Sequence, residues 1–87
     1  MSEDCGITQR QALYVTAMEK FFRENDTFPT HIALSNILGV RESPVRDMLN
    51  RLEAKEILER NALNKLKRGP RWQSALTESG EQLGIVA

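Results

Sequence analysis

The chain has 87 residues, with twelve basic groups balanced by twelve acidic ones for a formal net charge of zero. That length holds one small domain, burying roughly 60–65% of its unfolded surface and leaving little room for a catalytic framework around a large cavity. A hydrophobic fraction of 40% and a charged fraction of 28% describe a soluble globular protein, and the single cysteine, Cys5, excludes an internal disulfide framework and paired cysteine ligands for zinc. Apolar runs are short and the N-terminus is acidic (Glu3, Asp4), so neither a membrane span nor a signal peptide is expected and a reducing cytoplasmic location follows.

Residues 1–7 show no periodicity and read as a flexible N-terminus, followed by a single domain over 8–87. Thr8 and Gln11 have capping-box spacing, which starts a first helix. Along it Tyr14, Ala17, Met18 and Phe21 recur at helical spacing with Leu13 and Phe22 on the flanks, while Thr16, Glu19, Lys20 and Arg23 fill the opposite face. This apolar arc covers about half the circumference, more than the ~100° stripe one core requires. Either part of it faces another chain or the stripe of a small domain is simply wide. Residues 25–29 break the helix at Pro29. Thr30 caps a second helix through Leu38, and Gly39 supplies the left-handed residue that ends it. Ser43 as N-cap and Pro44 at the first helical position open a third helix, which runs to 54 or 55 and buries Val45, Met48, Leu49 and Leu52. Beyond Leu58 the helical period fades. Residues 60–66 and 71–76 read as two short strands joined at 67–70, with Trp72, Ser74 and Leu76 on one face, and Thr77 caps a short last helix through Leu83.

The spacing around Gly39 carries the most information. A helix-turn-helix needs apolar residues where its helices meet, a small residue at closest approach and glycine in the turn. Leu34, Leu38, Val40, Val45 and Met48 supply the first, Ser35 the second and Gly39 the third. On the third helix Ser43, Asp47, Asn50 and Ala54 then point away from the core, with Arg46 and Arg51 on the flanks. Arginine pairs with guanine edges, asparagine with adenine, and aspartate accepts from cytosine N4, so this face suits a major groove. The plain alternative is a solvated helix face.

The net charge of zero conceals a segregation. Residues 60–76 hold Arg60, Lys65, Lys67, Arg68 and Arg71 with no acid, while Glu3 and Asp4 at one end, Glu78 and Glu81 at the other and a net −1 over residues 41–59 offset them. Such a block makes a local positive potential whatever the total, although a solvated hairpin tip has the same composition.

The run from Leu38 to Arg60, and above all Ser43-Pro44-Val45-Arg46-Asp47-Met48-Leu49 followed by Arg51-Leu52-Glu53-Ala54-Lys55-Glu56-Ile57-Leu58, resembles the winged-helix domain of GntR-family transcriptional regulators. The resemblance spans about residues 29–60. It implies a mainly α fold with a small β-hairpin wing, a winged helix-turn-helix, that binds double-stranded DNA, commonly as a dimer on a partly palindromic operator. By that likeness Ser43 and Arg46 match positions that contact DNA, Arg41 matches the turn residue near the backbone, and residues 65–71 match the wing. The segment 75–80 is similar to the Leu-Thr-x-x-Gly that leaves the wing in other winged-helix repressors. Glu56 stands where that family usually has glycine, and Arg68-Gly69-Pro70-Arg71 replaces its Gly-x-Gly wing turn. The effector-binding domain that follows in the family has no counterpart in these 87 residues, so metabolite sensing is not expected.

Together these readings give a small sequence-specific regulator, repressor-like and homodimeric. Ser43, Arg46, Asp47 and Asn50 read bases; Thr30, His31, Arg41 and Arg51 hold backbone; Lys65, Lys67, Arg68 and Arg71 follow the duplex through the wing. His31 is either a solvated first-turn residue or, with Thr30, part of a phosphate contact. Trp72 reads as an anchor of the wing against the core. No nucleophile–base pair, phosphate loop or metal-ligand cluster occurs, so no enzyme, cofactor or metal is expected. Two rivals stand beside this reading: a winged-helix protein-interaction module of a replication, chromosome or phage complex, and an architectural DNA protein without sequence preference.

Overall fold

The computed structural model describes residues 6–63 and 65–84. Its elements in chain order are α1 (Gln9–Asn25), α2 (His31–Leu38), α3 (Glu42–Ala54), β1 (Leu58–Arg60), β2 (Leu66–Arg68) and α4 (Trp72–Gln82). The protein is therefore mainly helical with one two-stranded antiparallel sheet, in which Leu58 pairs with Arg68, Glu59 with Lys67 and Arg60 with Leu66. A single core joins Val15 and Met18 of α1, Leu34 of α2, Val45, Leu49 and Leu52 of α3, Ile57 and Leu58 behind it, and Trp72 and Ala75 of α4. No described helix is long and apolar enough to cross a membrane.

The start of α1 follows its sequence signal. Gln11 N–H donates to Thr8 Oγ1 and Thr8 N–H donates to Gln11 Oε1, which satisfies two end donors reciprocally. The buried face differs from the expected one. Tyr14 and Met18 are buried as anticipated, but they are joined by Gln11, Ala12, Val15 and Glu19. Ala17 and Phe21 are only half-buried, and Leu13 is exposed. The inward stripe is thus rotated toward α4, where the buried Trp72 indole N–H donates to Glu19 Oε1. At the other end, Ile7 departs from the expected loose terminus. It is buried, its N–H donates to a Glu78 carboxylate oxygen and its carbonyl accepts from Gln82 Nε2.

The turn between α2 and α3 forms as the sequence predicts. Ala33 N–H donates to Thr30 Oγ1, Gly39 takes φ 68° as the C-cap residue, and Ser35 is buried with its hydroxyl donating to the Ile32 carbonyl. One correction concerns the start of α3. Its N-cap is Arg41, in extended backbone and without a side-chain cap bond, so Ser43 and Pro44 lie inside the first turn. Pro44 is still tolerated there, since first-turn N–H groups have no helical acceptor, and Glu42 places a carboxylate where the helix dipole favours one. Val45, Met48, Leu49 and Leu52 are buried, as the period requires.

The second correction concerns the hairpin, which sits earlier than expected. Its strands are Leu58–Arg60 and Leu66–Arg68, so the connecting loop falls at 61–65, not at 67–70. Leu58 is anchored in the core while Glu59 and Lys67 face each other on the outer side. Residues 71–76, read as a strand, are instead the N-cap Arg71 and the first part of α4, whose buried residues are Trp72, Ala75 and Ser79. Thr77 lies within α4, its hydroxyl donating to the Gln73 carbonyl rather than capping a helix.

Two backbone features set where the hairpin leaves the helices. Glu56 takes φ 64°, a left-handed conformation that turns the chain out of α3. Gly69 then passes so close to that turn that a Cβ would lie 2.5 Å from the Glu56 carbonyl oxygen. Gly69 N–H donates to Ile57 O at 2.9 Å and Arg71 N–H to Glu56 O at 3.0 Å, which clips the end of the hairpin to the end of α3.

Candidate nucleic-acid interface

The N-terminus of α2, one flank of α3 and the hairpin enclose an open cleft of about 650 Å³. Phe28, Pro29, Leu49 and Leu66 contribute its apolar lining; Thr30, His31, Arg46, Asn50, Arg60 and Lys65 contribute its polar lining. Five of the residues singled out from sequence (Thr30, His31, Arg46, Asn50 and Lys65) are brought together there. Arg60 was not among them, although it belongs to the acid-free block. Its strand register sets it beside Leu66 on the cleft side.

The electrostatics of the cleft follow from the helical positions of α3. Residues 42, 46 and 53 fall on the same flank, so two carboxylates border the arginine. Each carboxylate has a partner: His31 Nε2 lies 3.4 Å from Glu42 Oε1, and Arg60 Nε donates to Glu53 Oε2 at 2.8 Å. Among the described residues, the Arg46 guanidinium, the Asn50 amide and the Lys65 ammonium make no hydrogen bond or ion pair. Between these two partnered acids the cleft therefore offers two cations and an amide without side-chain partners among the described residues.

Ser43, Asp47, Arg41 and Arg51 are exposed and lie outside the cleft. Ser43, Asp47 and Asn50 share the face of α3 opposite its buried residues, with Arg51 on the far flank from Arg46. The three remaining basic residues separate. Lys67 lies on the outer side of the hairpin, 3.6 Å from Glu59. Arg71 is exposed at the start of α4. Arg68 is turned to α1, its guanidinium 4.5 Å from the centre of the Phe22 ring and 3.9 Å from Glu19 Oε1. Sequence could not show this, because the partners lie almost fifty residues away on another helix. Among the described residues no three His, Cys, Asp or Glu side chains converge as a metal site would require.

No family model, no curated protein and no solved structure matches the chain.

Proposed function

We propose that this chain is a winged helix-turn-helix protein that binds double-stranded DNA, with α3 in the major groove and the hairpin as its wing. On this reading it acts in the cytoplasm as a homodimeric, repressor-like regulator. The observation that carries the reading is an exposed α3 face whose Arg46 and Asn50 side chains have no partner among the described residues, across the cleft from Lys65. A guanidinium and a carboxamide with no internal partner are the groups that read guanine and adenine edges bidentately. The likeness of residues 38–60 to GntR-type regulators supports the same assignment.

Roles divide by position. Ser43, Arg46, Asp47 and Asn50 face bases, while Thr30, His31, Arg41, Arg51, Lys65 and Arg71 hold phosphates. Lys67 exchanges its exposed pairing with Glu59 for a phosphate at little cost. Arg68 serves the interface by fixing the hairpin to α1.

The test is fluorescence anisotropy with a random-sequence duplex at two salt concentrations, followed by selection from a random duplex pool. Salt-dependent binding and an enriched sequence are expected. Binding without enrichment would make this an architectural protein. Absence of binding at low salt would overturn DNA recognition in favour of protein docking, for which the exposed Ile32, Ile37 and Val40 around the α2–α3 turn offer apolar contact.

A further inference from the structure

The cleft between α2, α3 and the hairpin has the make-up of a small-molecule site as well as of a contact surface. Its volume of about 650 Å³ lies within the ~300–1,000 Å³ of pockets that hold small ligands. Phe28, Pro29 and Leu49 are buried and Leu66 is half-buried, so they give the cleft an apolar base. The rim is polar and basic. Arg46 and Asn50, one helical turn apart on α3, stand on one side, and Arg60 and Lys65 of the hairpin stand on the other. Among the described residues no carboxylate lines the cleft, and the neighbouring Glu42 and Glu53 are partnered by His31 and Arg60. Arg46 and Lys65 therefore present two positive charges that no described side chain pairs with, above an apolar base.

We propose that the cleft binds a phosphate monoester with a small apolar body, and that this ligand competes with DNA for it. A monoester carries close to two negative charges at neutral pH and three acceptor oxygens, which matches two unpartnered cations. The Arg46 guanidinium takes two of those oxygens bidentately, and the Lys65 ammonium pairs with the third as a point charge. A carboxylate brings one charge and leaves one cation unmatched. The organic body lies against Phe28, Leu49 and Leu66, where it loses contact with water. The site stands on the cleft alone. The competition rests on the DNA-binding reading above, since Arg46, Asn50 and Lys65 are the residues assigned to the duplex. A ligand that occupies them releases DNA directly, because it binds the free protein and not the complex.

The probe is phenyl phosphate, titrated into the full chain by calorimetry at low salt, up to ~10 mM. Saturable binding is expected, about fivefold tighter than that of inorganic phosphate, which lacks the apolar body, or of benzoate, which lacks the second charge. Phe28 lies 5.0 Å from Trp72 between ring centroids, so phenyl phosphate should also change the emission of the only tryptophan. Arg46→Gln and Lys65→Gln should each weaken binding about fivefold. Lys20→Gln, which removes an exposed charge of α1 outside the cleft, should not. At ten times its dissociation constant the ligand should weaken binding of a random-sequence duplex about elevenfold. No saturable binding, or affinity unchanged in both cleft variants, would overturn the site and leave DNA recognition standing. Equal affinity for inorganic phosphate or benzoate would overturn the ligand class. Ligand and duplex bound without competition would overturn the shared use of the cleft. Ligand binding by a chain that binds no duplex at low salt would uphold the site and overturn the DNA-binding reading.

Discussion

Glu19 carries a carboxylate into the interior, where it is held by donors from three directions. Arg23 Nε lies at 2.9 Å, Trp72 Nε1 at 3.3 Å and an Arg68 terminal nitrogen at 3.9 Å. Phe22, Phe28 and Trp72 pack in succession as tilted ring pairs at centroid distances of 5.1 and 5.0 Å, and Arg68 covers the Phe22 end. Glu19→Ala strands the buried indole N–H without an acceptor and should cost about 1–3 kcal/mol, read as a lower urea midpoint on the emission of the only tryptophan. Glu56 is the opposite case, an exposed side chain on strained backbone at φ 64°. Glycine adopts that conformation freely, so Glu56→Gly should raise stability by about 1 kcal/mol and shift the midpoint without changing its slope. The two residues differ in how far sequence exposes them. Position 56 is legible, because glycine is what the resembled family carries there and a helix must end. Glu19 is not: helical periodicity assigns a carboxylate to the solvent side, and only the assembled α4 and β2 reveal its partners.

The three helices ahead of the hairpin were largely legible because most of their ends are chemically marked, the start of α3 excepted, where Arg41 and not Ser43 is the N-cap and makes no side-chain cap bond. Thr8, Thr30 and Gly39 act as their sequence neighbourhoods predict, and the four apolar positions of α3 fall on its buried face. The hairpin and α4 were misread for a physical reason. Strands of three residues hold barely more than one alternation, so no period could locate them. Trp72, Ser74 and Leu76 alternate by coincidence, whereas Trp72, Ala75 and Ser79 carry the helical period that packing uses. Composition pointed to residues 67–70 as a turn, yet Gly69 is there for closeness rather than for the hairpin bend. A Cβ at 69 would meet the Glu56 carbonyl oxygen at 2.5 Å and the Ile57 carbonyl carbon at 2.8 Å, both of them backbone atoms. Gly69→Ala must therefore push the hairpin off the end of α3, at about 1–3 kcal/mol of overpacking. The same urea titration measures it, and equal stability would show that the two segments separate freely. On the DNA-binding reading, Arg46→Ala and Arg68→Ala should part in the same way. The first leaves stability unchanged and lowers the preference for a selected sequence over random duplex, whereas the second lowers stability.

Over the whole molecule, the five acid-free cations of residues 60–76 do not act as one block. Arg60, Lys67 and Arg68 each face a carboxylate, from Glu53, Glu59 and Glu19 respectively, so the local potential is weaker than the sequence count implies. Four exposed cations assigned to backbone contact (Arg41, Arg51, Lys65 and Arg71) have no ion-pair partner among the described residues. At ~0.9 counterions per neutralised phosphate, these four cations give a slope of log affinity against log salt near −3.6 for one protomer and near −7 for two, with Lys67 adding little because a phosphate only replaces Glu59 as its partner. On the DNA-binding reading, so few contacts make non-specific binding by a single protomer weak, and that is why a dimer is proposed for a chain of zero net charge. The edge of α1 left outside the core offers a surface for it, with Leu13 exposed and Ala17 and Phe21 half-buried at four-residue intervals. Leu13→Glu combined with Phe21→Glu should leave the fold intact, convert a sedimenting dimer to a monomer and halve the salt slope together. A wild-type chain that sediments as a monomer at tens of micromolar, with a slope already near −3.6, would assign the whole interface to one protomer and leave the α1 edge without a part in it.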